Sequence, residues 1–302
     1  MKFSKPPTSL DQQVDTLINR GMAIPDREQA KRFLQHLNYY RLSGYWLPYE
    51  ASHSPHQFQA GTNFEQIIDL YVFDRELRLL VMDAIERVEV SIRTQWAHHL
   101  ATKYGAHAHL DSSLFLDQQK YLNTLGKLTG EIGRSRESFI KHLIDTYDET
   151  TPPIWAIVEV ISFGQLSQLY ANLKLRQDRK QIADTYNLDE KVLTSFLHQI
   201  NTVRNTCAHH SRLWNRRFTM QLTIPGKRPH GLNQNFNMDR NASKKIYNPL
   251  VMLAYAMDKI CPGHHFKIKL LELTTMHTVD ESAMGFPADW QRRAIWKQRR
   301  ST

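Results

Sequence analysis

The sequence predicts an all-α fold, a multi-helix bundle with small loop-rich insertions. Glycine and proline are sparse, at 12 each in 302 residues, and they punctuate long segments. One stretch, from residue 64 to about 103, contains neither and repeats its apolar residues with helical period. Helix-start signatures recur from one end of the chain to the other.

Taken in order, Ser9 with Gln12 forms a capping box for a first helix, which Gly21 closes. Asp26 caps a second, over residues 27–37. Residues 38–49 are aromatic and turn-like, and the polar run 55–62 reads as a loop. The long helix follows, and residues 105–135 are less regular. Pro152 and Pro153 suit the first turn of a further helix, broken near Gly164 and ending around residue 173. Asp189 caps a helix expected to run to about Arg216. Residues 222–244 look loop-rich, with room for a short strand or hairpin. Helices are expected again over 249–260, 266–276 and 289–299. The organisation is thus an N-terminal helical and aromatic segment (1–62), a helical core (63–220), and a loop-rich segment with C-terminal helices packed on the core (221–302).

Lys and Arg outnumber Asp and Glu by 39 to 30, a formal charge of +9. That excess favours a polyanionic partner, nucleic acid or an anionic membrane surface. Only Cys207 and Cys261 occur, so no disulfide framework is needed. The N-terminus lacks the apolar core of a signal peptide, and no run of 18 apolar residues exists. A soluble, cytoplasmic chain with no membrane partner is expected.

The helix after Asp189 carries the candidate chemistry. At 100° per residue, Leu193, Phe196, Ile200, Val203 and Cys207 share one stripe. The opposite face collects His198, Thr202, Asn205, His209, Arg212 and Arg216, a basic and hydrogen-bonding set suited to phosphates. Asn205 and His209 are four apart, so the amide could orient the imidazole. Arg204 lies at the edge of the apolar stripe, where a guanidinium needs an anion. Glu89, with Glu86 beside it, lies in the inner seam of the long helix and could supply one across the helix pair. Alternatively, Arg75, Arg78 and Arg93 satisfy these carboxylates locally. A histidine moves protons near neutral pH and an arginine stabilises a phosphoryl group in transit. RNA brings its own 2′-OH nucleophile. Arg204 and His209 are therefore a minimal toolkit for RNA cleavage without a metal. The same Arg-x4-His spacing recurs at Arg93–His98, where a structural role near the helix end is expected.

Other signals are weaker. Arg41 among Tyr39, Tyr40, Tyr45 and Trp46 could stack unpaired bases, against a buried aromatic hub. Arg292, Arg293, Lys297, Arg299 and Arg300 form a basic C-terminal run, and Lys227 and Arg228 lie in a loop between prolines. Cys207, His209, His210, Cys261, His264 and His265 fit metal-finger spacings poorly. No metal and no cofactor are expected.

Several blocks resemble the bacterial abortive-infection (Abi) family, of the AbiD/AbiF type. They include Asn38 to Pro48, Leu70 to Arg78, Ile85 to Val90, Pro153 to Ala156 leading to Ser162-Phe163-Gly164, and, most specific, Val203 to Arg216 with its Arg-Asn-x3-His. Met284 to Pro287 with Trp290 is similar to the family's C-terminal signature. The resemblance implies a HEPN-like helical core within 63–220, with Arg204 and His209 as the catalytic pair and Asn205 assisting. It implies metal-independent RNA cleavage at a composite site, hence a homodimer, and phage defence by growth arrest, with regulation by a small non-coding RNA. A non-catalytic RNA-binding module is the alternative. A DNA-binding regulator is a weaker third.

Overall fold

The computed structural model describes residue 2 and residues 6–297. Arg299 and Arg300 of the basic run therefore lie outside the described residues. Twelve α-helices and one two-stranded sheet make up the regular structure among them, so the chain is an all-α multi-helix protein. It divides into two compact units: the chain up to Leu77 with Leu271–Asp280, and Arg78–Leu270 with the residues from Glu281 on.

In the first unit, α1 (Leu10–Asn19) starts at the expected Ser9/Gln12 capping box, and α2 (Arg27–His36) starts at Asp26. They pack together through Val14, Leu17, Ala30 and Leu34. The aromatic segment is helical, as α3 (Tyr39–Trp46), rather than turn-like. Asn38 accepts from the Tyr40 N–H, and Leu42, Tyr45 and Trp46 bury one face, which outweighs the turn signal of Ser43-Gly44. A hairpin follows, β1 (Glu50–His53) and β2 (His56–Phe58), so the run 55–62 expected as a loop begins with a strand and is irregular only after Phe58. Helix α4 (Phe64–Tyr104) matches the expected long helix and continues into the second unit.

The second unit holds most of the core. Residues 105–135 are more regular than expected, because α5 (Gln118–Arg134) starts at an Asp117 cap and buries Tyr121, Thr124, Leu128 and Ile132. Its three glycines hide that stripe in the sequence. After α6 (Ser138–Thr146), α7 (Ile154–Val160) and α8 (Phe163–Asn172) meet at Ser162, whose capping box with Gln165 opens α8, so Gly164 lies inside a helix. Then come α9 (Arg176–Asp184) and α10 (Glu190–Ala208), which packs against α8, α9 and α11 (Tyr247–Ile260). Residues 222–244 carry 3-10 turns and no strand among the described residues. Helix α12 (Phe266–Met276) has the expected bounds. Over the described part of the expected last helix, up to Lys297, the chain forms two 3-10 turns instead, because Trp290, Ile295 and Trp296 must all turn inward.

Candidate active site and nucleic-acid interface

The apolar stripe of α10 is buried as its periodicity requires: Leu193, Phe196, Ile200, Val203 and Cys207. The helix stops at Ala208, eight residues before the expected end near Arg216. His210 takes a left-handed backbone at φ 53°. Its N–H donates to the Cys207 carbonyl and that of Ser211 to the Thr206 carbonyl, both at 2.9 Å, closing a Schellman-type cap. Burial of Leu213 and Trp214 draws the chain away from the helix axis. A glycine normally signals such a stop, and a histidine stands in its place.

His209 is consequently the C-cap residue, and it is exposed, as is Asn205 one turn earlier. The Asn205 side chain makes no hydrogen bond to the imidazole. Arg204 is partly buried, and its Nε is sequestered without a partner. No other side-chain nitrogen of Arg204 makes a hydrogen bond or ion pair among the described residues. A helix advances about 1.5 Å and 100° per residue, so Arg204 and His209 stand about 7.5 Å apart along the axis and about 140° apart around it.

Glu89 is not the partner of Arg204. Its Oε1 accepts from Arg93 Nη2 at 2.5 Å, with both side chains 13% exposed. The same guanidinium donates to the carbonyls of Val158, Glu159 and Ile161. This is the local alternative, and it also makes Arg93–His98 a structural arginine with an exposed histidine. Glu86 is exposed.

Arg212 and Arg216 lie beyond the helix rather than on its face. The Arg212 guanidinium stands 5.9 Å from the Trp214 ring centroid. Arg216 is exposed, and its Nη1 lies 3.5 Å from the Arg212 carbonyl. Lys245 joins them from a later loop, held at 2.5 Å by Asn215 Oδ1. Burial, then the charges of Arg212 and Arg217, push its ammonium pKa below the ordinary lysine value. Cations crowded so closely favour an anion among them. Nothing in the spacing of the sequence pointed to Arg217 or Lys245.

His198 is exposed two to three turns up α10, and there it lines a cleft with α5 and α8. Lys120 and Lys127 border that cleft, together with Gln168 and Asn172. It adjoins a second depression with Lys127, Glu131, Arg134, Ser162 and Gln165. Lys120, Lys127 and Arg134 recur every seven residues and so share one exposed side of α5. This basic row escaped the sequence reading because α5 itself did.

Arg41 is exposed on α3, but its aromatic neighbours form a hub: Tyr45 and Trp46 are buried, and the Tyr45 hydroxyl donates to Asp74 at 2.6 Å. Only Tyr40 stands clear. Arg228 is tied to Asp184 at 3.0 Å and Arg293 to Asp289 at 2.9 Å. The cysteines do not gather histidines: Cys207 is buried on α10, and His264 pairs with Asp258. Among the described residues, the one cluster with metal-ligand spacing is Glu50, His53 and His56.

The model of the Abi-like protein family matches residues 32–215, more than half of the chain. The chain belongs to the Abi-like protein family. Membership supports a role in abortive-infection phage defence. The match spans α3, the whole of α4 and α10 through its cap, and it ends at Asn215. No curated protein and no solved structure matches the chain. No helix of the described residues is long and apolar enough to cross a membrane.

Proposed function

We propose that this Abi-like protein is a HEPN-type endoribonuclease that cleaves RNA without a metal, as a homodimer, to arrest infected cells. The observation that carries the reading is at the end of α10: an arginine whose side chain has no acceptor among the described residues, five positions before an exposed histidine. A guanidinium left unpaired at a helix seam is stabilised by an anion from outside. A phosphodiester is such an anion, and the Arg212, Arg217 and Lys245 cluster beside the helix cap favours its approach.

In the reaction, the ribose 2′-oxygen attacks the adjacent phosphorus and passes its proton to an imidazole. The bond from phosphorus to the 5′-oxygen breaks, and that oxygen takes a proton. The products are a 2′,3′-cyclic phosphate and a 5′-hydroxyl. His209 exchanges the protons and Arg204 neutralises the charge growing on the equatorial oxygens. The divergence of about 140° between the two residues on one helix favours a site completed by a second copy. Asn205 is exposed at the same cap and positions the imidazole once RNA is bound.

Wild type, Arg204→Ala and His209→Ala, expressed in bacteria, should differ in growth arrest and in new RNA ends sequenced genome-wide, with both effects in wild type alone. Purified wild type should cleave in EDTA. Cleavage that persists unchanged in His209→Ala removes that residue from the chemistry. The basic row on α5 favours a second reading, an RNA-binding module without turnover. Tight, salt-sensitive binding with no cleavage of any RNA tested would select it.

A further inference from the structure

A regular strand sends side chains three residues apart to opposite faces. The β1–β2 hairpin departs from that rule: its register shifts between Glu50 and Ser52, and such an extra residue reverses the alternation. Glu50 thereby comes to the same side as His53, and His53 pairs directly across the ladder with His56. The Glu50 side chain is 2% exposed, and its Oε2 lies 2.6 Å from His53 Nδ1 and 2.8 Å from His56 Nδ1. Burial pushes its pKa up, but the hydrogen bonds from His56 and His53 outweigh that and hold it below the ordinary glutamate value.

We propose that Glu50, His53 and His56 bind one zinc ion, which staples the hairpin. Their three ligand atoms lie within 4.8 Å of one another. Tetrahedral bonds of about 2.1 Å place ligand atoms about 3.4 Å apart, so small side-chain movements suffice. Two imidazoles and one carboxylate are a donor set suited to zinc, and water fills the fourth position. Coordination through Nδ1 moves the ring proton to Nε2, and both imidazoles are exposed enough to solvate it, at 61% and 45%. Two strands of four and three residues are marginal by themselves, and a metal crosslink adds its binding free energy to their order. The site is independent of the RNA reading, since it shares no residue with the α10 cap.

The test uses the full chain, stripped with a chelator and titrated with Co2+, then with Zn2+. One Co2+ per chain should bind with the visible absorption of a tetrahedral site, and Zn2+ should displace it. His53→Ala and His56→Ala remove exposed side chains, so the fold should persist by near-ultraviolet circular dichroism. Each should weaken zinc binding by more than the 10- to 100-fold that outer-shell changes typically cost. Glu50→Gln should do the same, and His142→Ala, elsewhere on the surface, should not. Affinity unchanged in His53→Ala and His56→Ala, or no stoichiometric binding by wild type, overturns the proposal. Either result leaves the α10 reading untouched.

Discussion

Arg93 on α4 and Arg204 on α10 begin alike. Each borders the apolar seam of a long helix, each precedes a histidine by five positions, and each buries an Nε with no partner. Their terminal nitrogens part company. Those of Arg93 hold Glu89 and three carbonyls around the end of α7, while those of Arg204 hold nothing among the described residues. The first arginine joins two helices. The second retains its hydrogen-bonding capacity for a ligand. Spacing does not separate them, whereas an account of where each donor goes does.

The largest expected effect tests that contrast directly. Arg93→Met leaves Glu89 buried without its cation and removes the donors to three carbonyls, so it should cost about 3–5 kcal/mol of stability. Arg204→Met should change stability by about 1 kcal/mol or less, since no protein bond is lost, while abolishing RNA cleavage. Urea titrations of the two variants measure the difference. Similar losses in both would mean that Arg204 has a structural partner after all.

His109 is an unpartnered group of another kind. It is 2% exposed, and neither ring nitrogen has a hydrogen-bond partner among the described residues. Burial, with a smaller contribution from nearby His107, holds its pKa down to about 4, against the ordinary 6.5. The unfolded chain takes up this proton as pH falls through 6.5, and the folded chain resists until about 4. The stability present above pH 6.5 is therefore lost between those values, by about 3 kcal/mol. His109→Leu should flatten the urea midpoint across that window. An unchanged acid slope would place the loss in another group. A neutral imidazole tolerates a dry site that a guanidinium would not, which is why Arg204 stays at the edge of its seam.

The same distinction explains how much the sequence disclosed. Long apolar periods carried α4, the stripe of α10 and α12, because burial on one face is written into spacing. Caps carried the starts of α1, α2 and α10. Where a stop depends on tertiary packing, as at His210, the local residue gives no warning and the spacing predicts α10 eight residues too long. Glycines at 126, 130 and 133 masked α5, and with it Lys120, Lys127 and Arg134. Arg204, Asn205 and His209 were legible as residue types on one helix, but the choice of Arg93 over Arg204 for Glu89 was not. Glu50, His53 and His56 escaped notice because a three-residue spacing in a strand converges only through a bulge.

The smallest effect concerns the row on α5, a line of exposed cations whose cleft His198 also lines, but with no sequestered guanidinium like that of Arg204. If RNA runs along it, replacing Lys120, Lys127 and Arg134 together by Ala should weaken binding without removing the cleavage chemistry. Each phosphate contact to a single strand contributes about 0.7 to the slope of log affinity against log salt, so loss of three flattens it by about 2. His209→Ala, which removes no phosphate contact, should keep the wild-type slope while losing cleavage. A triple variant with the wild-type slope would show that RNA does not follow α5, leaving Arg212, Arg217 and Lys245 beside the α10 cap as the basic cluster on which backbone recognition must rest.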